Sequence, residues 1–144
     1  MRVAFCAYRD WAIEVLPTVR KHPNVSQVFH VSNNDMLELF LGQPKVISGR
    51  VAEPKHMVDI VLFCGWSTPP SQRMIDSGVP MFSEHPATSD RYSPGTPLQN
   101  QILDGLIRTQ HRLVKVGFPE LSPRQWSHEV TMDLSGNMDD ILEQ

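Results

Sequence analysis

The sequence predicts an α/β fold in which a mainly parallel sheet is covered by helices on both faces. Three observations lead there. Short continuous apolar runs, at residues 3–7 and 60–64 above all, have the composition of strands buried on both sides. Segments of helical period alternate with these runs along the chain, the order that builds a parallel sheet with helical crossovers. The 144 residues match one domain at about 150 residues per domain.

The elements follow in order. Residues 3–7 form the first strand. Asp10 is placed to cap a helix reaching about Lys21, with Trp11, Val15, Leu16 and Val19 on one face, and Pro17 kinks it or delays its regular part. A second strand spans 27–32. A short helix over 35–41 stops at Gly42, and 45–48 is a weak third strand. Residues 59–64 form a strong buried strand, 70–77 a helix halted by Gly78, and 79–85 the next strand. Thr96 and Pro97 are an N-cap and first-turn pair. They open a helix whose Leu98, Ile102, Leu103, Leu106 and Ile107 share one face. Strands are expected at 112–116 and 126–132, and a final helix from Asn137 onward. The stretch 117–125, with two prolines, is the least structured.

Composition removes several function classes. Hydrophobic residues make up 40% and charged residues 20%, a globular mix rather than a disordered one. The net charge is −3 and the 13 Lys and Arg are scattered, so there is no basic stripe for nucleic acid or an anionic membrane. Cys6 and Cys64 sit in apolar runs and read as buried thiols, not as a disulfide framework. The longest apolar run falls far short of the ~20 residues a membrane helix needs. The N-terminal run is too short for a signal-peptide core. The expectation is a reduced, cytoplasmic protein, with a homodimer left open beside a monomer.

The strand–helix order is Rossmann-like, yet the first turn, Tyr8-Arg9-Asp10, has no glycine and so lacks the dinucleotide fingerprint. No phosphate-binding P-loop is present. The six histidines are dispersed, none at metal-ligand spacing from another His or Cys, so no metal site is expected.

One stretch carries a chemical signal. Ser83 and His85 lie two apart on an expected strand, so both face one side while Glu84 faces the other. They fall at the strand's C-terminal end, where open α/β sheets place ligands. Pro86 ends the ladder. A polar loop follows, running into the N-terminus of the next helix, where anions are readily held.

Here the sequence resembles the formyltransferase N-terminal domain family. The family pattern is Asn-x-His-Pro-Ser, a loop ending in Tyr and Gly, then Ser-Pro and a helix. Ser83-Glu84-His85-Pro86-Ala87 stands in the first part, and Tyr92, Gly95, Thr96-Pro97 and Gly105 follow at matching offsets. The likeness reaches back through residues 59–67 to Tyr8-Arg9-Asp10-Trp11-Ala12, which is similar to the first turn of sugar N-formyltransferases. It reaches forward to Leu134-Ser135-Gly136 and the helix after it. It thus implies one formyltransferase-like domain over 1–144, shortened at the C-terminus. Two positions depart from the family's Asn, His and Asp trio. Ser83 replaces the Asn, and Leu121 falls at the Asp position with Glu120 beside it. The Asp-x-Gly turn gives way to Glu120-Leu121-Ser122-Pro123.

The resemblance implies a formyl group carried on N10 of tetrahydrofolate and moved to an amine. An imidazole can take the amine proton or steady the developing oxyanion. The catalytic expectation is therefore His85, Ser83 and Glu120. Trp66, Ser67, Thr68, Gly117, Phe118 and Leu121 are expected to hold 10-formyltetrahydrofolate, and Tyr92, Gln99 and Gln101 the substrate. The partner is a small-molecule amine, with a nucleotide-linked amino sugar favoured by the first turn, and no nucleic acid or membrane. Two alternatives stay open: a non-catalytic folate- or nucleotide-binding member of the fold, and a hydrolase of formyltetrahydrofolate.

Overall fold

Strand β1 (Arg2–Cys6) is the apolar run at the N-terminus, and Val3, Ala4, Phe5 and Cys6 are all buried. The computed structural model describes residues 1–42, 45–47, 50–52, 56–87, 90–92, 97–116, 126–137 and 141. The described chain divides into two compact units, 1–82 and 83–144.

In the first unit β1 pairs in parallel with β2 (Gln27–Val31) and with β5 (Ile60–Phe63), so Phe5 lies in register with both His30 and Leu62. Cover on both faces of the sheet is why β1 is apolar from Val3 to Cys6. One face packs on two short helices, α1 (Asp10–Glu14) and α2 (Leu16–Lys21). Phe5, Ala7, Ala12 and Leu16 form a buried cluster there, with Val19, Leu62 and Cys64 against it. The expected single helix is broken at Val15 because Pro17, with no N–H, fits the first turn of a new helix better than the interior of an old one. Asp10 is not the cap: Arg9 holds that position, and Asp10 sits in the first turn.

The other face carries α3 (Asn34–Leu41), whose Phe40 ring meets Phe29 at 4.8 Å. Asn33 caps this helix by accepting from Met36 N at 2.9 Å, and Gly42 ends it at φ +73°. The expected lone strand at 45–48 is instead a hairpin. Strands β3 (Lys45–Ile47) and β4 (Arg50–Ala52) pair antiparallel with each other, apart from the parallel sheet. Helix α4 (Gln72–Asp76) is capped by Ser71.

Cys6 is in register with Phe63, so Cys64, the next residue along, faces the opposite side of the sheet and no disulfide joins the two. Burial pushes the Cys6 thiol up to about 12. At the amino end of the sheet, Asp59 accepts from the Arg2 amide at 2.7 Å and from its guanidinium at 2.6 Å. The Arg2 side chain, chiefly through that hydrogen bond, holds the Asp59 carboxyl down at about 2.

Strand β6 (Met81–Pro86) starts in the first unit, where Val61 N donates to Pro80 O just ahead of it, and continues into the second. In the second unit the order is β6, then β7 (Arg108–Lys115), then β8 (Trp126–Asp133). β7 and β8 are antiparallel, with His111 opposite Val130 and an irregularity between Leu113 and Val114. β7 begins four residues before the expected 112, because Arg108 to His111 carry no apolar run to announce a strand.

Helix α5 (Pro97–Leu103) sets Leu98 and Ile102, together with Leu106, against Met132, Leu134 and Ile141. The wider apolar face expected of it does not form: Leu103 is 83% exposed and Ile107 69%. The helix ends at Leu103, Gly105 turns at φ +77°, and the helical period stops there. Of the final helix, Ile141 is described; it is buried and its N–H reaches Asn137 O at 3.2 Å. Thr96, the expected cap of α5, lies outside the described residues.

Candidate active site

In the first unit the relevant residues gather where β1 and β5 end. Gly65 follows β5 at φ +58°, and a Cβ there would stand 2.9 Å from Trp11 Cζ2 and 3.1 Å from Ala12 Cβ. Only glycine lets the loop press this closely onto α1. That places the Trp66 ring edge-to-face with Tyr8, centroids 5.5 Å apart and planes at 64°, and 6.0 Å from Phe63. The Tyr8 hydroxyl shares a 2.6 Å hydrogen bond with Ser67 Oγ, and the Arg9 guanidinium lies over the Tyr8 ring. The bond to Ser67, with Arg9 beside it, draws the Tyr8 phenol below its ordinary range. Trp66 Nε1 is buried and has no hydrogen-bond partner among the described residues. Ser67 and Thr68 are exposed. Tyr8 and Arg9 are marked in the sequence as part of the first turn, without a binding role.

In the second unit Ser83 and His85 lie on β6, both half-buried. Glu84 accepts from His111 Nε2 at 2.6 Å across to β7, so it faces away from Ser83 and His85. Ser83 Oγ donates to Glu84 O at 3.2 Å. On β7 Arg112 Nη2 donates to Gln110 Oε1 at 2.6 Å.

The residues expected to touch substrate divide. Gln99 is exposed on the first turn of α5. Gln101 is fully buried. Its amide donates to Pro86 O at 2.8 Å and Pro97 O at 3.0 Å, and its oxygen accepts from Thr109 Oγ1. That leaves Gln101 no surface for a substrate, and its role is to fix α5 to β6 and β7. Tyr92 is 7% exposed and donates to Asp104 Oδ2, which Arg91 also grips at 2.7 Å. Burial, and then Asp104, push its phenol up. Tyr92 therefore secures the turn before α5. Gly117, Phe118, Glu120 and Leu121 lie outside the described residues. No group of three potential metal ligands clusters among the described residues. His22, His30 and His56 each have a backbone partner. No helix among the described residues is long and apolar enough to cross a membrane.

No family model matches the chain, and no curated protein matches it. Solved structures do. Methionyl-tRNA formyltransferase from Clostridium thermocellum aligns over 99% of this chain with a TM-score of 0.69 at 18% identity. Phosphoribosylglycinamide formyltransferase from Streptococcus pneumoniae aligns over 99% with a TM-score of 0.64 at 13% identity. A HypX variant from Aquifex aeolicus aligns over 92% with a TM-score of 0.59 at 16% identity. The fold is that of the formyltransferases. The chain spans 57% of the tRNA enzyme, 88% of the glycinamide enzyme and 21% of HypX. The formyltransferase fold accounts for the parallel β2-β1-β5 group with helices on both its faces.

Proposed function

We propose that the chain is a formyltransferase-type enzyme that moves a formyl group from 10-formyltetrahydrofolate to the amine of a small substrate, with nucleotide-linked amino sugars as the favoured acceptor class. The observation that carries this reading is His85 at the carboxyl end of β6 in a formyltransferase fold. The donor fits the first-unit residues on one count. Trp66 offers a buried indole N–H without an acceptor among the described residues, and a pterin ring brings acceptor atoms. Trp66, Ser67 and Thr68 would hold it, Gly117, Phe118 and Leu121 being proposed as the rest. The donor supplies an activated formyl carbon.

His85 takes the proton that leaves the attacking amine and passes it to the departing nitrogen, help worth about 10²–10⁴-fold. Glu120 is proposed to orient its ring, and Gln99 to contact the acceptor. The setting is cytoplasmic, without nucleic-acid or membrane partners, and a homodimer is compatible with it. The test is transfer from 10-formyltetrahydrofolate to a panel of amines, with calorimetry on 5-formyltetrahydrofolate as a stable donor mimic. His85→Ala should remove most turnover while far-UV circular dichroism and Tm hold. Full activity in that variant places the chemistry elsewhere.

A second reading has its own support. The Ser83 hydroxyl is engaged by the Glu84 carbonyl, where the family places an Asn amide. A chain that binds a folate or nucleotide without turning it over needs no donor there. Folate binding without transfer to any amine, and without release of formate to water, selects it.

A further inference from the structure

Within the second unit the sheet sorts its polar side chains onto two faces. β6 and β7 are neighbours, and the 2.6 Å bond between Glu84 and His111 requires those two residues to share a face. Strand alternation then puts Ser83 and His85 on the opposite face, together with Gln110 and Arg112. Residues facing one another on adjacent strands have Cβ atoms roughly 5 Å apart, and diagonal ones roughly 7–8 Å. Gln110 therefore stands directly across from the Ser83 and His85 pair or one diagonal step away. Its carboxamide is the chemical group that Ser83 lacks. The Gln110 oxygen accepts from Arg112 Nη2 at 2.6 Å, which turns the amide nitrogen away from the guanidinium. Ser83, in contrast, spends its proton on the Glu84 carbonyl.

We propose that Gln110 is a catalytic residue that supplies the amide N–H donor to the formyl oxygen, in place of the family's Asn, with Arg112 as the residue that positions it. This rests on the formyl-transfer reading above. The acceptor nitrogen attacks the formyl carbon, the carbonyl electron pair moves onto oxygen, and a Gln110 Nε2 hydrogen steadies that charge. As the carbonyl reforms, the bond from carbon to the folate nitrogen breaks. His85 returns to that nitrogen the proton it took from the amine. The products are the formylated amine and tetrahydrofolate.

The experiment is single-turnover transfer from 10-formyltetrahydrofolate to nucleotide-linked amino sugars and simple primary amines. Gln110→Glu keeps the shape and the bond to Arg112 but loses the donor. It should slow the chemical step by about 10²–10³-fold, with donor binding by calorimetry unchanged. Gln110→Leu should match it. Ser83→Asn introduced into Gln110→Leu should recover at least tenfold, since it returns an amide to the same face. Arg112→Leu should lower kcat more than it raises KM, and Arg112→Lys should recover part of the loss. If Gln110→Glu stays within threefold of wild type while His85→Ala is inactive, the assignment to Gln110 is wrong and the formyl-transfer reading stands. If wild type, His85→Ala and Ser83→Asn are equally inert with every amine, that reading fails and the assignment fails with it.

Discussion

Strand β1 in the first unit and strand β7 in the second are held in opposite ways. β1 has no polar side chain between Val3 and Cys6, and it is fixed by parallel neighbours on both sides and helices on both faces. β7 carries Thr109, Gln110, His111 and Arg112 in succession, and these are tied to Gln101, to Glu84 and, for Gln110 and Arg112, to each other. The first arrangement draws on apolar burial, which is non-directional and grows with area. The second draws on hydrogen bonds, which add little net stability but set side-chain geometry tightly.

The largest effect expected from breaking this contrast is in β1. Phe5→Ala should lose about 3–5 kcal/mol in urea unfolding, the usual result for a buried aromatic. A loss below about 1 kcal/mol would place the weight of the first unit elsewhere. Next comes Gly65→Ala, expected at about 2–3 kcal/mol because backbone strain at φ +58° adds to overlap with Trp11 and Ala12. Gly105→Ala in the second unit has the same strain but open space, and should cost only about 1 kcal/mol. Equal losses at the two glycines would show that conformation, not close packing, sets the requirement at Gly65.

In the polar net, Gln101→Leu should cost about 1–3 kcal/mol by stranding Pro86 O, Pro97 O and the Thr109 hydroxyl. Combining it with Thr109→Val should give less than the sum of the two single losses. Additive losses would mean the two side chains do not act as a unit. The smallest effect belongs to Asp59→Asn. The Asp59 carboxyl sits lower in the folded chain than its ordinary 3.8, so its stabilising share is present above that value and fades as pH falls toward about 2. Melting curves of the variant should lie slightly below wild type at neutral pH and converge with it near pH 2.

How much of this was legible follows the same division. Residues 3–7 and 60–64 are apolar without interruption, and they supply the adjacent parallel strands β1 and β5. Ser83 and His85 stand out because Pro86 closes a strand right after them. The first half of β7 has no such mark, so Gln110 and Arg112 stayed hidden, although a period-two pattern was there once the strand was allowed to begin at 108. Gln101 reads as a polar residue at the start of a helix, open to substrate. It lies four positions after Pro97, on the turn whose inner side faces Pro86 and Thr109, and only tertiary packing reveals that. The hairpin of β3 and β4 escaped because three-residue strands leave too few positions for any period to show. Tyr92 looked like a loop aromatic open to ligand, and the Arg91 and Asp104 pair that encloses it is a contact between residues twelve or more apart.

The burial of Cys6 gives the protein a built-in timer. A thiol pushed up to about 12 is almost wholly protonated near neutral pH, and its strand is closed on both faces, so an alkylating reagent meets it only when β1 opens. Labelling at Cys6, followed by mass spectrometry, therefore counts excursions of the central strand one molecule at a time. Under conditions where closing outpaces alkylation, the rate reads the free energy of that opening directly.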